Sequence, residues 1–262
     1  MKILLPGNLN LNYLKSGRGD PVVLIHGMGS DHTVWEGLIP LLRDDYETIA
    51  VDLRGHGHSS KTPGPYTIEL FAEDISLFLK SLNIEQAHFM GHSMGGLVLQ
   101  ELAVEYPEIF KSLTLISSFT CIDPPLKEIL INLKNIIIEE GYKAFFDECL
   151  KLANTPEFIK DNRELFSKVR DENARVCSVS SIVDTIDACL DVNLIDSIRD
   201  IRTPTLVIGG EKDVFTHTYH GIKIKEGIPN SKMNIIKGGC HNLLVEKPFE
   251  TYSVIKRFLD VL

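Results

Sequence analysis

The sequence has little that would commit it to an oxidising compartment, a membrane or a nucleic-acid partner. Its five cysteines, Cys121, Cys149, Cys177, Cys189 and Cys240, are an odd number, widely scattered, and form no C-x-x-C pair. They read as free, mostly buried thiols in a reducing compartment rather than a disulfide framework or zinc ligands. No stretch approaches the roughly 20 apolar residues of a membrane span. The opening Met1-Lys2-Ile3-Leu4-Leu5-Pro6-Gly7 is too short an apolar run for a secretory signal, so a cytoplasmic location is expected. Basic residues are in deficit: 27 Lys and Arg stand against 36 Asp and Glu, a net charge of −9. That balance argues against non-specific binding to nucleic acid or anionic membranes, and points to a small molecule or a protein as partner. Repeats, low-complexity blocks and long linkers are also missing.

What is present is an ordinary globular composition, 44% hydrophobic and 24% charged over 262 residues. Such a chain buries a core without staples, as one large domain or a core carrying an insertion. The first half alternates short apolar runs (Val22 to Ile25, Thr48 to Val51, Ala87 to Met90, Leu113 to Ile116) with helical stripes. The stripes are Trp35 to Leu42, Ile68 to Leu82 and Leu97 to Tyr106. This rhythm predicts a mostly parallel sheet covered by helices on both faces, the α/β class. From residue 121 to 196 the strand signals stop and four helical patterns follow: Leu126 to Ile137, Phe145 to Leu152, Phe158 to Val169 and Val176 to Leu190. Strands return at Thr205 to Ile208 and Met233 to Ile236, and a helix over Tyr252 to Leu262 closes the chain. The expected organisation is a core of 1–120 and 197–262 with an inserted helical lid of 121–196.

The sharpest motif is Gly91-His92-Ser93-Met94-Gly95, set between a strand and a helix. Flanking glycines let the chain turn sharply and present a serine hydroxyl, while the N–H of Met94 opens the helix toward developing negative charge. A serine at its free pKa is a poor nucleophile and needs a base. Of nine histidines, His241 lies directly after a strand, at the sheet edge where open α/β proteins bind ligands. Asp213 follows the strand of 205–208 and would orient the imidazole; Glu211 is its nearest rival. In His26-Gly27-Met28-Gly29-Ser30, two glycines let the Met28 N–H approach a substrate carbonyl as a second oxyanion donor.

These motifs, with Asp52-Leu53-Arg54-Gly55-His56-Gly57-His58-Ser59, run in an order that resembles the α/β-hydrolase fold superfamily, particularly small capped esterases and lactonases. The resemblance implies a sheet of about eight strands and a cap formed by 121–196 over the active site. It implies Ser93, Asp213 and His241 as catalytic residues, with Met28 and Met94 as backbone oxyanion donors. The expected reaction is acyl transfer to water, cleaving an ester, thioester or lactone through an acyl-enzyme, with no metal or organic cofactor. The same residues would serve carbon–carbon bond hydrolysis or cofactor-free perhydrolysis, and a ligand-binding receptor could keep such a pocket. Serine at 93, in place of aspartate, argues against dehalogenation.

Other residues take plainer readings. Leu130, Ile137, Phe145 and Phe146 are candidates for an apolar pocket lining in the cap. His56-x-His58 lacks the companions of a metal site. His217 and His220, three apart, read as a solvated helix face. His92 and Trp35 read as packing, and Cys240 as a small buried neighbour of the base. Lys151, Lys160, Arg163, Lys168, Arg170 and Arg175 would face an acyl-carrier protein, but interleaved acids make them a solvated surface. Self-association, as monomer or homodimer, is left open.

Overall fold

The six apolar runs all fold as strands in the computed structural model, which describes residues 1–262. In chain order the strands are β1 (Lys2–Leu5), β2 (Leu9–Gly17), β3 (Asp20–Ile25), β4 (Tyr46–Val51), β5 (Ala87–His92), β6 (Phe110–Ile116), β7 (Thr205–Gly210) and β8 (Ser231–Ile236). They form one eight-stranded sheet in the order β1-β2-β4-β3-β5-β6-β7-β8. From β4 to β8 every neighbouring pair is parallel, while β1–β2 and β2–β4 are antiparallel. The two antiparallel strands are those that the apolar runs do not reveal. Their signal is alternation: Leu9, Leu11 and Tyr13 are buried while Asn10 and Asn12 between them stay half-exposed.

Both faces of the parallel strands are covered, as near-continuous apolar runs require. Val23, Ile25, Ile49 and Val51 point into one core, with Phe71, Ile75 and Phe78 of a helix over Ile68–Ser81. Val22, Leu24 and Ala50 point into a second core, with Trp35, Ile255 and Phe258. Trp35 is fully buried. The stripe over 35–42 predicts one helix, but the chain forms a single 3₁₀ turn at His32–Trp35 and a four-residue helix at Ile39–Leu42. Pro40 falls in the first turn of that helix and cannot be the interior of a longer one.

Between β6 and β7 the chain makes helices over Pro124–Glu139, Tyr142–Ala153, Pro156–Asp161, Arg163–Val176 and Val179–Leu190. Asp123, Thr155 and Ser178 cap three of them, accepting from Leu126 N–H, Phe158 N–H and Ser181 N–H. The pattern of 158–169 predicts one helix; Asn162 instead ends a short helix and begins a longer one that runs to Val176. The last helix accordingly starts at Val179, not Val176. The ends of this helical segment meet at a bridge between Cys121 and Asn193, with Leu194 N–H donating to Thr120 O at 2.8 Å. No helix is long and apolar enough to cross a membrane.

The loop after β4 is built around the buried Asp52 carboxylate. It accepts from Asn12 Nδ2, His32 N–H, His32 Nδ1 and His58 N–H, all at 2.7–2.8 Å. Gly57 adopts φ +45°, and a Cβ there would lie 2.3 Å from Asp52 Oδ2. Burial pushes the Asp52 pKa up, but the His32 hydrogen bond, the neighbouring imidazoles and the backbone donor outweigh it. The carboxyl is held well below the usual carboxylate range. Its folded pKa is therefore depressed, so its contribution is present above the unfolded pKa of about 3.9 and fades as pH falls through the folded value. Asp52→Asn is expected to lose about 3 kcal/mol of stability near neutral pH. Urea unfolding should find that gap narrowing below about pH 4; a gap that does not change with pH would contradict the assignment.

Candidate active site

The tight turn after β5 brings the central serine out of the sheet. Ser93 has φ 52° and ψ −120°, a conformation that side-chain-bearing residues avoid. The turn is over-determined. Ser93 N–H donates to Ile116 O, Gly96 N–H donates to Ser93 O, and Ser118 Oγ donates to the same carbonyl, each at 2.9 Å. Glycine at 95 is required by close approach, because a Cβ there would sit 2.3 Å from Ile25 O. Strain of this kind persists only where the surroundings hold it, and it clusters at functional sites.

From this turn a line of hydrogen bonds crosses three loops at the carboxyl edge of the sheet. Ser93 Oγ lies 3.0 Å from His241 Nε2, and His241 Nδ1 lies 2.9 Å from Asp213 Oδ2. His241 and Asp213 are buried, and Ser93 is half-exposed. Asp213 Oδ1 accepts from Phe215 N–H and Thr216 N–H, and Thr216 Oγ1 donates to Oδ2 at 2.6 Å. Burial raises the Asp213 pKa, but His241 and these donors outweigh it and keep the carboxyl below its ordinary value. Glu211, the sequence rival, is exposed and accepts from Gly238 N–H at 2.8 Å. It takes no part in this line.

His241 is also fixed from outside the line. The ring of Phe215 lies 4.7 Å from its ring, and that of His92 lies 5.1 Å away. His92 Nε2 meets the His241 carbonyl at 3.1 Å, so this histidine packs against the backbone of the other. Burial, then the nearby His241, push the His92 imidazole down to about 3. His92 therefore stays neutral near pH 7.

The two expected oxyanion donors stand at the same turn. Met94 is the first residue of the helix Met94–Glu105, so its N–H has no intrahelical acceptor. Met28 lies in the loop after β3, and its N–H takes no acceptor within the chain. That loop abuts the serine: a Cβ at Gly27 would lie 3.1 Å from Ser93 Cβ. Of the four apolar candidates in the insertion, Phe145 meets this loop, its ring 2.8 Å from where a Gly29 Cβ would be. Leu130 and Ile137 are buried in the large core, and Phe146 is half-buried against it. Beside the loop, a cavity of about 20 Å³ is lined by Asp31, His56, Tyr142, Asn173 and Cys177 among others. It has room for about one water.

Other sequence readings sort differently. His56 is buried, with Nδ1 at Arg54 O, whereas His58 is exposed, so the two imidazoles do not face a common point. Asp31, His32 and Asp52 bring ligand atoms within 4.8 Å of one another. Those of Asp52 are already engaged by four donors, and Asp31 Oδ1 by Thr33. The solvated-face reading holds for His217 and needs correcting for His220. His217 is exposed, at the position before the helix Thr218–Gly227, with no side-chain hydrogen bond to it, while His220 is fully buried, packed on Tyr219 and 3.7 Å from Asp123. The i, i+3 spacing fails because His217 stands before the helix begins. Cys240 is buried beside His241, and burial followed by Glu246 pushes its thiol up to about 11.

Comparisons with known proteins agree with this architecture. The family profile described as the alpha/beta hydrolase fold matches residues 20–248. The 3-oxoadipate enol-lactonase 2 of Acinetobacter baylyi is 30% identical over 95% of this chain and 94% of its own. A protein of Azorhizobium caulinodans that carries the name carbamate hydrolase RutD is 28% identical, over 90% and 89% of the two chains. The crystal structure of the enol-lactonase from Burkholderia xenovorans superposes with a TM-score of 0.92 at 24% identity, covering 99% of this chain and all of that one. The chain belongs to the α/β-hydrolase fold family, and its relatives place it among the hydrolases.

Thr216 has no motif of its own in the sequence, yet it holds Asp213 from two sides. Removing its hydroxyl deletes a hydrogen bond to the charged form of the acid. Thr216→Val is expected to raise the Asp213 pKa toward its ordinary value, read by carbon NMR of the carboxyl. An unchanged titration would mean that the backbone donors alone hold the carboxylate.

Proposed function

We propose that the protein hydrolyses a small-molecule carboxylic ester, thioester or lactone through an acyl-enzyme on Ser93. The observation that carries this reading is the unbroken 3.0 and 2.9 Å line from Ser93 through His241 to Asp213, ending on a buried carboxylate. His241 Nε2 takes the hydroxyl proton as Oγ attacks the carbonyl carbon. Asp213 holds Nδ1–H and stabilises the imidazolium that forms. The free N–H groups of Met28 and Met94 receive the oxyanion as the tetrahedral intermediate builds. His241 then returns the proton to the leaving alcohol, thiol or enol. Water repeats the cycle on the acyl group, releasing acid and free serine.

The helices of 121–196 act as the cap in this reading, with Phe145 on the oxyanion loop as its inward contact. Similarity to an enol-lactonase at 30% identity supports chemistry at an ester carbonyl, since a lactone is a cyclic ester. A panel of esters, thioesters and lactones of graded acyl length would define the preferred substrate, with Ser93→Ala as the blank.

Ser93→Ala is expected to abolish labelling by a fluorophosphonate, and persistent labelling would remove Ser93 as the nucleophile. Asp213→Asn is expected to lower turnover by about 10⁴-fold, whereas Glu211→Gln should remain near the wild-type rate. A dead Glu211 variant beside an active Asp213 variant would reverse the choice of acid.

A further inference from the structure

The base loop and the cap are joined by one carboxylate that the proposed chemistry does not use. Glu246 closes the short helix Leu243–Glu246, five residues after His241. Its Oε2 accepts from Cys240 N–H at 3.2 Å, on the residue that immediately precedes His241. Its Oε1 accepts from both the N–H and the hydroxyl of Thr155, at the junction between two cap helices. A second strand of the same link is backbone only: Asn242 N–H donates to Ala153 O at 2.9 Å. The residues on both sides of His241 are therefore hydrogen-bonded to the cap: Cys240 reaches Thr155 through Glu246, and Asn242 reaches Ala153 directly. Thr155 is itself the N-cap of the helix Pro156–Asp161, so its position follows the cap helices.

We infer that Glu246 is a positioning residue through which the cap sets the placement of His241. Its carboxylate couples two segments that lie 91 residues apart in sequence. Movement of the 153–155 turn would be carried to the Cys240 N–H and so to the imidazole. Hydrogen bonds to an ionised acceptor are about twice as strong as neutral ones, which suits a link that must transmit position. The proton transfer from Ser93 depends on the His241 geometry, and a misplacement near 1 Å costs about 100-fold in rate. The inference rests on the reading of His241 as the base. It adds that the base is competent only while the cap is seated.

The test uses the full chain, with Glu246→Ala, Thr155→Val and the double variant. Turnover of a p-nitrophenyl ester is expressed per site titrated with fluorophosphonate, so that loss of folded protein does not count as loss of rate. Each single variant is expected to lower kcat per titrated site about tenfold, with KM changed less than about twofold. The double variant should lose no more than Glu246→Ala alone, because both act on one path. Thr155→Ser, which keeps the hydroxyl, should restore the rate. The low-field Nδ1 proton resonance of the His241–Asp213 pair gives a readout independent of hydrolysis. It should shift or broaden in Glu246→Ala and Thr155→Val and persist in Thr155→Ser. Wild-type kcat per site in Thr155→Val would overturn the cap link, as would losses that multiply in the double variant. If Glu246→Ala does not fold, Thr155→Val and Thr155→Ser decide the question alone. Failure of wild-type Ser93 to label would count against the proposed hydrolysis. The resonance would still support or overturn the link.

Discussion

The tight turn at Ser93 is the constraint on which the rest of the site depends. A serine at φ 52° and ψ −120° survives because three hydrogen bonds and the close packing of Gly95 on Ile25 O hold it there. The consequence is geometric: the hydroxyl stands clear of its own backbone while the Met94 N–H opens a helix directly beneath it. The parallel sheet provides the frame, since β3, β5, β7 and β8 all release their loops at one edge. Ser93, Asp213, His241 and the loop of Met28 meet there.

Electrostatics then divide the labour among buried groups. Asp213 stays ionised despite burial because the imidazole and three donors compensate it. His92, equally buried and lacking such compensation, stays neutral and serves as packing. Asp52 repeats the Asp213 solution at a different place, where a compensated carboxylate holds a loop together instead of an imidazole. The two aspartates are compensated alike, by four hydrogen bonds each, and differ in what those bonds hold: the loop after β4 for Asp52, and the imidazole beside Ser93 for Asp213.

Much of this was legible in the sequence. The six parallel strands announced themselves as short apolar runs, and the glycines around Ser93 marked the turn. The order Ser93, Asp213, His241 matched the loops that the sheet brings together. The antiparallel pair β1 and β2 was harder, because its signal is alternation over Leu9 to Tyr13 with asparagines between, not an apolar run. The helix expected over 35–42 failed at Pro40, and the one expected over 158–169 broke at Asn162, both local breakers inside an apolar stripe. His220 was misread because its burial depends on Asp123 and Tyr219, contacts that no helical spacing reveals. Thr216 and Glu246 were invisible for the same reason: each matters through a hydrogen bond to a distant or folded-back partner.

The central claim is that the reaction passes through acylated Ser93. Rapid acid quench during turnover of an activated ester, followed by peptide mass mapping, tests it most directly. Acylation of Ser93 predicts a burst of leaving group and the acyl mass on the peptide that contains Ser93. The acyl mass on any other residue, or product formed while Ser93 remains unmodified, would contradict it.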